Sequence, residues 1–200
     1  KIKMINGLSW WTPQTLRPCP AVTKIFSKKI FNEEECEHLK KLKNILEFQY
    51  AKFGNSKDAV KGELRSSQVA WLSGVKEKQI GWLYSRVGEE IVRTNKEWNF
   101  NIIGFTEPFQ YTKYHADELG KYDMHMDIGE DTWFRKISVT IQLSHPDEYE
   151  GGELMVGDYP APKEQGMMVC FPSFRDHCVK PITKGTRESL VIWVSGPAWQ

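Results

Sequence analysis

The chain has 200 residues, enough for one domain with a substantial core, and a formal net charge of +1 with basic and acidic residues interspersed. That balance excludes a basic stripe of the kind that drives nucleic-acid binding by counterion release, and no apolar run approaches the roughly 20 residues needed to span a bilayer. The four cysteines, Cys19, Cys36, Cys170 and Cys178, form no Cys-x-x-Cys pair, which argues against a disulfide framework or thiolate zinc site and favours a reducing, cytoplasmic setting. The opening stretch KIKMINGLSWW lacks the apolar segment of a signal peptide, so a protein that is not secreted is expected.

In chain order, residues 1–24 read as an N-terminal extension. In FNEEECEHLKKLKNILEF, Asn32 suits a helix N-cap and Glu35 the capping-box position, with acids in the first turn and lysines later, as the helix dipole favours. Cys36, Leu39, Leu42, Ile45 and Leu46 recur there at helical spacing. A second helix is predicted from about Lys76 to Lys96, with Ile80, Leu83, Val87 and Ile91 on its buried face. The texture then changes. IIGFTEPFQYTKY, KISVTIQLS, GELMVGD, GMMVCFP, HCVKPIT and ESLVIWVSG are short β-branched or aromatic runs separated by turn residues. With no internal repeat or linker, the chain reads as one α+β domain. Residues 25–100 are mainly helical support, and residues 101–197 form an antiparallel sandwich or barrel.

The pattern His-x-Asp occurs three times, at His115/Asp117, His125/Asp127 and His145/Asp147. A lone copy is more often packing or surface than a metal site. In SHPDEYEGGEL the pair at His145 sits in a turn, with Asp147 bonding its own backbone, while Gly151 and Gly152 permit a tight approach between strands. His115 ends a strand-like run and reads as exposed. In YDMHMDI the alternation places Met124, Met126 and Ile128 toward a core, the methionines as core filler, and Asp123, His125 and Asp127 on the opposite face. Two ligands at i and i+2 on one strand face can grip a single ion. A third ligand is available in His177, and three protein ligands on one face of an octahedron leave three positions for other groups. Ten positions on, Arg187 opens a strand on which Arg187, Ser189, Val191 and Trp193 share a face, and its planar fork suits a carboxylate.

YDMHMD, SVTIQLSHPDEYEGGEL and FPSFRDHCVKPITKGTRESLVIWV resemble the Fe(II)/2-oxoglutarate-dependent oxygenases, specifically the prolyl 4-hydroxylase-like branch and most closely the bacterial PKHD-type hydroxylases. The resemblance covers Arg65 to Pro197, weakens through the first helix and does not extend to residues 1–20. It implies a double-stranded β-helix (jelly roll) with His125, Asp127 and His177 as iron ligands and Arg187 on the distal carboxylate of 2-oxoglutarate. It further implies Tyr114, Thr112, Gln142 and Trp193 as cosubstrate contacts, with Gln110 sharing the same alternation, and Arg65, Trp71 and Tyr122 on the substrate side. The implied cofactors are Fe(II), 2-oxoglutarate and O2, with ascorbate as a further candidate, and the implied reaction is hydroxylation of a C–H bond with release of succinate and CO2. Asp127 fills the position that halogenating relatives leave open for halide.

Three functions compete at this level. A peptide or protein substrate, hydroxylated at proline or another residue, follows from the branch. A free amino acid or similar small molecule is the alternative, favoured by the lack of a separate peptide-binding domain. A non-catalytic, cupin-like binding module is the third, and the intact His125, Asp127, His177 and Arg187 argue against it. Residues 115–122 are expected to border the substrate entrance as a loop over the iron.

Overall fold

The computed structural model describes residues 23–51 and 64–198, so most of the expected N-terminal extension, with Cys19, lies outside the described residues. The first half contributes strands β1 (Phe26–Lys29), β2 (Gln49–Tyr50), β3 (Arg65–Ser66) and β4 (Gln68–Trp71), with helices α1 (Glu33–Lys40) and α2 (Glu77–Trp98). Residues 25–100, expected to be mainly helical, therefore also supply four strands. There follow β5 (Gln110–His115), β6 (Lys121–His125), β7 (Arg135–Gln142), β8 (Tyr149–Gly151), β9 (Leu154–Val156) and β10 (Tyr159–Pro160). The last strands are β11 (Met167–Pro172), β12 (His177–Val179) and β13 (Ile182–Ser195).

These strands form two antiparallel sheets, a double-stranded β-helix. The larger runs β1-β11-β7-β13-β5-β4-β2, with β8 paired to β13, and the smaller runs β10-β9-β12-β6-β3. The period-two alternation of β7 explains how the parts stack. Ile137, Val139 and Ile141 are fully buried in one cluster with Leu190, Ile192 and Val194 of β13 and with Ile80, Leu83, Val87 and Ile91 of α2. Each such side chain contributes about 1.5–3 kcal/mol by leaving water. The intervening Ser138, Thr140 and Gln142 face the other way, toward the space between the sheets. The larger sheet is thus apolar toward its helices and polar toward the interior.

The capping box at α1 forms as expected: the Asn32 side chain accepts from the Glu35 N–H at 2.9 Å, and Glu35 accepts from the Asn32 N–H at 3.0 Å. The helix then tightens into a 3-10 turn at Lys41–Asn44. The change of period from 3.6 to 3 residues rotates Ile45 out to 61% exposure, against its expected place on the buried face. The long run from Ile102 to Tyr114 yields regular strand only from Gln110, apart from a single bridge between Gly104 and Ser195. HCVKPIT divides between β12 and β13. Gly151 and Gly152 both have positive φ, at +76° and +63°, where β8 meets the start of β13. A Cβ at Gly151 would collide with the Pro181 carbonyl and one at Gly152 with Ile182, so the tight approach depends on both glycines. Cys36, Cys170 and Cys178 are free thiols, and no helix among the described residues is long and apolar enough to cross a membrane.

Candidate active site

Across the smaller sheet, His177 on β12 pairs directly with His125 on β6, which puts the two imidazoles side by side with ring centroids 4.1 Å apart. Just beyond His125 the chain leaves β6, and the Asp127 N–H donates to the Ser173 carbonyl at 3.0 Å, turning the carboxylate to the same point. The His125 Nε2 lies 3.8 Å from Asp127 Oδ1 and the His177 Nε2 lies 3.4 Å from Oδ2. Each imidazole is oriented by a backbone carbonyl: His125 Nδ1 is 2.8 Å from the Asp123 oxygen and His177 Nδ1 is 3.0 Å from the Arg175 oxygen. A carbonyl only accepts, so Nδ1 carries a proton in each ring, and in the neutral form of each ring Nε2 turns its lone pair toward the carboxylate. Two imidazole nitrogens and a carboxylate oxygen, all within 4.8 Å of one another, fit a divalent first-row cation such as Fe(II).

Burial pushes the Asp127 carboxyl up, but His177, His125, the Ser138 hydroxyl and the Trp193 indole outweigh this and hold it below its ordinary value. Burial, with the neighbouring His177, pushes His125 down to about 4. Its folded value lies below the unfolded one, so between about pH 6.5 and 4 the unfolded chain binds the proton that the folded chain refuses. The metal-free protein should therefore keep its full stability at pH 7 and lose about 2 kcal/mol by pH 5 through this group. Urea unfolding of the metal-free protein at both pH values checks this. The loss should shrink in His125→Asn, and an equal loss in that variant would assign it elsewhere.

A β-bulge lies between the His177/His125 and Val179/Tyr122 pairs. It carries one extra residue on β6, so Tyr122 and His125, three positions apart, both point inward. Their rings stack with centroids 3.4 Å apart and an interplanar angle of 16°, and the Arg65 guanidinium lies 4.4 Å from the Tyr122 ring centroid. The same bulge corrects the uninterrupted alternation: Asp123 leaves the His125 face and pairs with Lys121 at 3.0 Å. Met124 and Met126, expected in the core, are each 56% exposed and border the space between the sheets.

A cavity of about 670 Å³ lies between the sheets, lined by His125, Asp127 and His177 and also by Arg187, Tyr114 and Trp193. Arg65, Trp71, Tyr122 and Gln110 line it too. Arg187 is 3% exposed, yet its guanidinium has no carboxylate partner among the described residues; it reaches Ser189 Oγ at 3.4 Å and lies 5.7 Å from the Tyr114 ring centroid. Thr112 is fully buried and donates to Gln110 Oε1 at 3.1 Å. Gln142 borders a small recess behind Arg187 and donates to the Ser144 carbonyl and the Tyr149 hydroxyl, both at 3.2 Å. Ser189, expected on the Arg187 face, lines the cavity too, as do Thr140 and Ser138, which the sequence alone does not single out; their signal is the polar phase of an otherwise apolar strand.

The other two His-x-Asp pairs stand apart. His115 is half-buried rather than exposed, bonded through Nδ1 to Thr186 Oγ1 at 3.0 Å, and at the turn Pro146–Glu148 the Asp147 N–H donates to the His145 ring at 3.3 Å. The segment expected to fold over the iron is a short turn. Glu118 ties it down, its carbonyl accepting from Ser66 at 3.0 Å and its carboxylate from the Tyr50 hydroxyl at 2.5 Å. Of residues 115–122 only Tyr122 lines the cavity, whereas residues 124–132 all border it.

A family profile described as the 2OG-Fe(II) oxygenase superfamily matches residues 109–195. A PKHD-type hydroxylase of Klebsiella pneumoniae is 35% identical over 83 residues, 36% of this chain and 37% of the relative. The chain spans about two fifths of the length of the curated relatives it matches. Among solved structures, a Pseudomonas putida prolyl-4-hydroxylase aligns over 89% of this chain and 95% of its own at TM-score 0.66 and 16% identity. A Trichoplax adhaerens prolyl hydroxylase, in complex with a hypoxia inducible factor oxygen degradation domain peptide fragment, aligns over 88% and 84% at TM-score 0.71 and 19% identity. At these identities the likeness to solved structures is one of fold.

Proposed function

We propose that this chain is a 2OG-Fe(II) oxygenase of the prolyl 4-hydroxylase-like, PKHD type that hydroxylates a C–H bond of a peptidyl substrate, proline or another residue, using Fe(II), 2-oxoglutarate and O2. The observation that carries the reading is one cavity holding both the convergent His125, Asp127 and His177 and a buried arginine with no anionic partner among the described residues. When bound, the iron and 2-oxoglutarate supply oxygen activation coupled to decarboxylation, with succinate and CO2 as co-products. The chain's own residues supply the geometry. His125 and His177 present neutral imidazoles and Asp127 a carboxylate, and Arg187 takes the far carboxylate of the cosubstrate through a planar fork. Tyr114 lies against Arg187, and Trp193 walls the same side, so that end of the cavity is largely closed to bulk water.

The substrate side is more open. Arg65 is held by Ser67 at 2.8 Å and Gln110 at 3.3 Å and stacks on Tyr122, while Trp71 packs 6.1 Å from Trp193 between ring centroids. The cavity mouth carries Met124 and Met126 beside the acids Glu130 and Asp131, and Trp133 nearby is 49% exposed, a mixed and extended border that favours a peptide over a small metabolite. The peptide complex of the Trichoplax enzyme supports the same choice. Succinate formation with Fe(II) and 2-oxoglutarate, measured against peptide and free amino-acid libraries, tests the reading. Slow turnover without substrate, accelerated by peptides, is expected. Acceleration by free amino acids alone would replace the peptidyl substrate with a small molecule, and no turnover under any condition would leave a binding module.

A further inference from the structure

The carboxylate of Asp127 is held from across the molecule. Ser138 lies on β7, in the larger sheet, with Trp193 and Phe171 as its register partners on β13 and β11. Its Oγ is 2.6 Å from Asp127 Oδ2 and 3.0 Å from Ser173 Oγ, and Ser138 and Ser173 are 1% and 0% exposed. A hydroxyl has one proton, and the shorter, charge-assisted bond to the carboxylate claims that of Ser138. The contact between the serines is then a bond donated by Ser173, and the proton order runs Ser173 to Ser138 to Asp127. Ser173 acts twice, since its carbonyl also accepts the Asp127 N–H at 3.0 Å. The Asp127 carbonyl is fixed as well, by Thr132 Oγ1 at 2.8 Å and Arg135 at 3.3 Å.

With the backbone pinned at both ends, the remaining freedom of Asp127 lies in its two side-chain torsions, and the one that turns the carboxylate has broad minima of its own. The Ser138 hydroxyl engages one of the two oxygens and so opposes both rotation and two-oxygen binding to an ion. We propose that Ser138, backed by Ser173, is a positioning residue that locks the Asp127 carboxylate so that it gives one oxygen to the metal and leaves the neighbouring coordination position open. This inference rests on the proposed metal centre and adds the device that sets its ligand mode.

Cobalt(II) titration of the full chain, followed by the visible d–d absorption, tests it without turnover. Ser138→Ala should bind cobalt about 10- to 100-fold more weakly than the parent and with an altered absorption envelope, the scale seen when partners that orient metal ligands are removed. Ser173→Ala should weaken binding severalfold in the parent background and have no further effect in the Ser138→Ala background, because its side chain acts only through Ser138. Parent affinity and spectrum in Ser138→Ala would overturn the proposal, as would an equal Ser173→Ala effect in both backgrounds. Where Ser138→Ala does not fold, Ser173→Ala with unchanged affinity and spectrum overturns it. A parent chain whose cobalt binding survives loss of both His125 and His177 would overturn the metal centre itself, a result distinct from these.

Discussion

Replacing His125 or His177 with alanine should abolish metal-dependent 2-oxoglutarate turnover, whereas His115→Ala and His145→Ala should leave most of it. All four residues come from a sequence with five histidines, three of them in His-x-Asp pairs, and the structure separates them by surroundings. His125 and His177 are paired in register, turned by backbone carbonyls and directed at Asp127. His115 spends its Nδ1 on Thr186, and the His145 side chain is 46% exposed at a surface turn. Removing one ligand leaves two, too few to hold the ion in a defined open geometry, so loss by a factor of about 100 or more is expected. Metal content by elemental analysis and succinate formation, read on the same preparations, distinguish lost binding from lost chemistry. Retained turnover in His125→Ala together with loss in His115→Ala would reassign the centre.

The second large effect is expected at Arg187. It is 3% exposed and lacks an anionic partner among the described residues, so a dicarboxylate that fills the cavity gains a charge pair in a site shielded from water. Arg187→Ala should raise the apparent 2-oxoglutarate requirement by about 2–4 kcal/mol, or roughly 30- to 1000-fold. Arg187→Lys should recover only part of that, because an ammonium is a point charge and cannot make two parallel bonds to one carboxylate. Titrating 2-oxoglutarate against succinate formation measures both. An unchanged requirement in Arg187→Ala would hand the role to another cation, with Arg65 the first to test because it lines the same cavity.

Much of this was legible in the chain because period and caps are local properties. Asn32 and Glu35 announced the start of α1, and Ile80, Leu83, Val87 and Ile91 announced the buried face of α2. The spacing of His125, Asp127, His177 and Arg187 was legible only as a constellation, since each residue alone has a commonplace explanation. What failed did so where a non-local event broke a local rule. An extra residue in β6 moved Tyr122 onto the His125 face and Asp123 off it, and nothing in YDMHMD marks that bulge. Met124 and Met126 suit a core by their apolar side chains, but they lie at the rim of the cavity, each 56% exposed. Ser138 and Thr140 look like ordinary strand residues, because a sequence shows that a face is polar and not what that face encloses.

The alternation of β7 and β13 has a consequence for how such a chain can change. Ile137, Val139, Ile141, Leu190 and Ile192 hold the sheet to its helices, while Ser138, Thr140, Gln142, Ser189 and Trp193 look the other way. Foldability and chemistry are thereby written in alternate letters of the same two strands. Substitutions on the inward letters can reshape what the cavity accepts while the helix-facing letters keep their packing, so a lineage can explore new substrates without first acquiring a new scaffold. The arrangement also sets a limit: a one-residue slip of either strand would exchange the two alphabets and destroy both properties together.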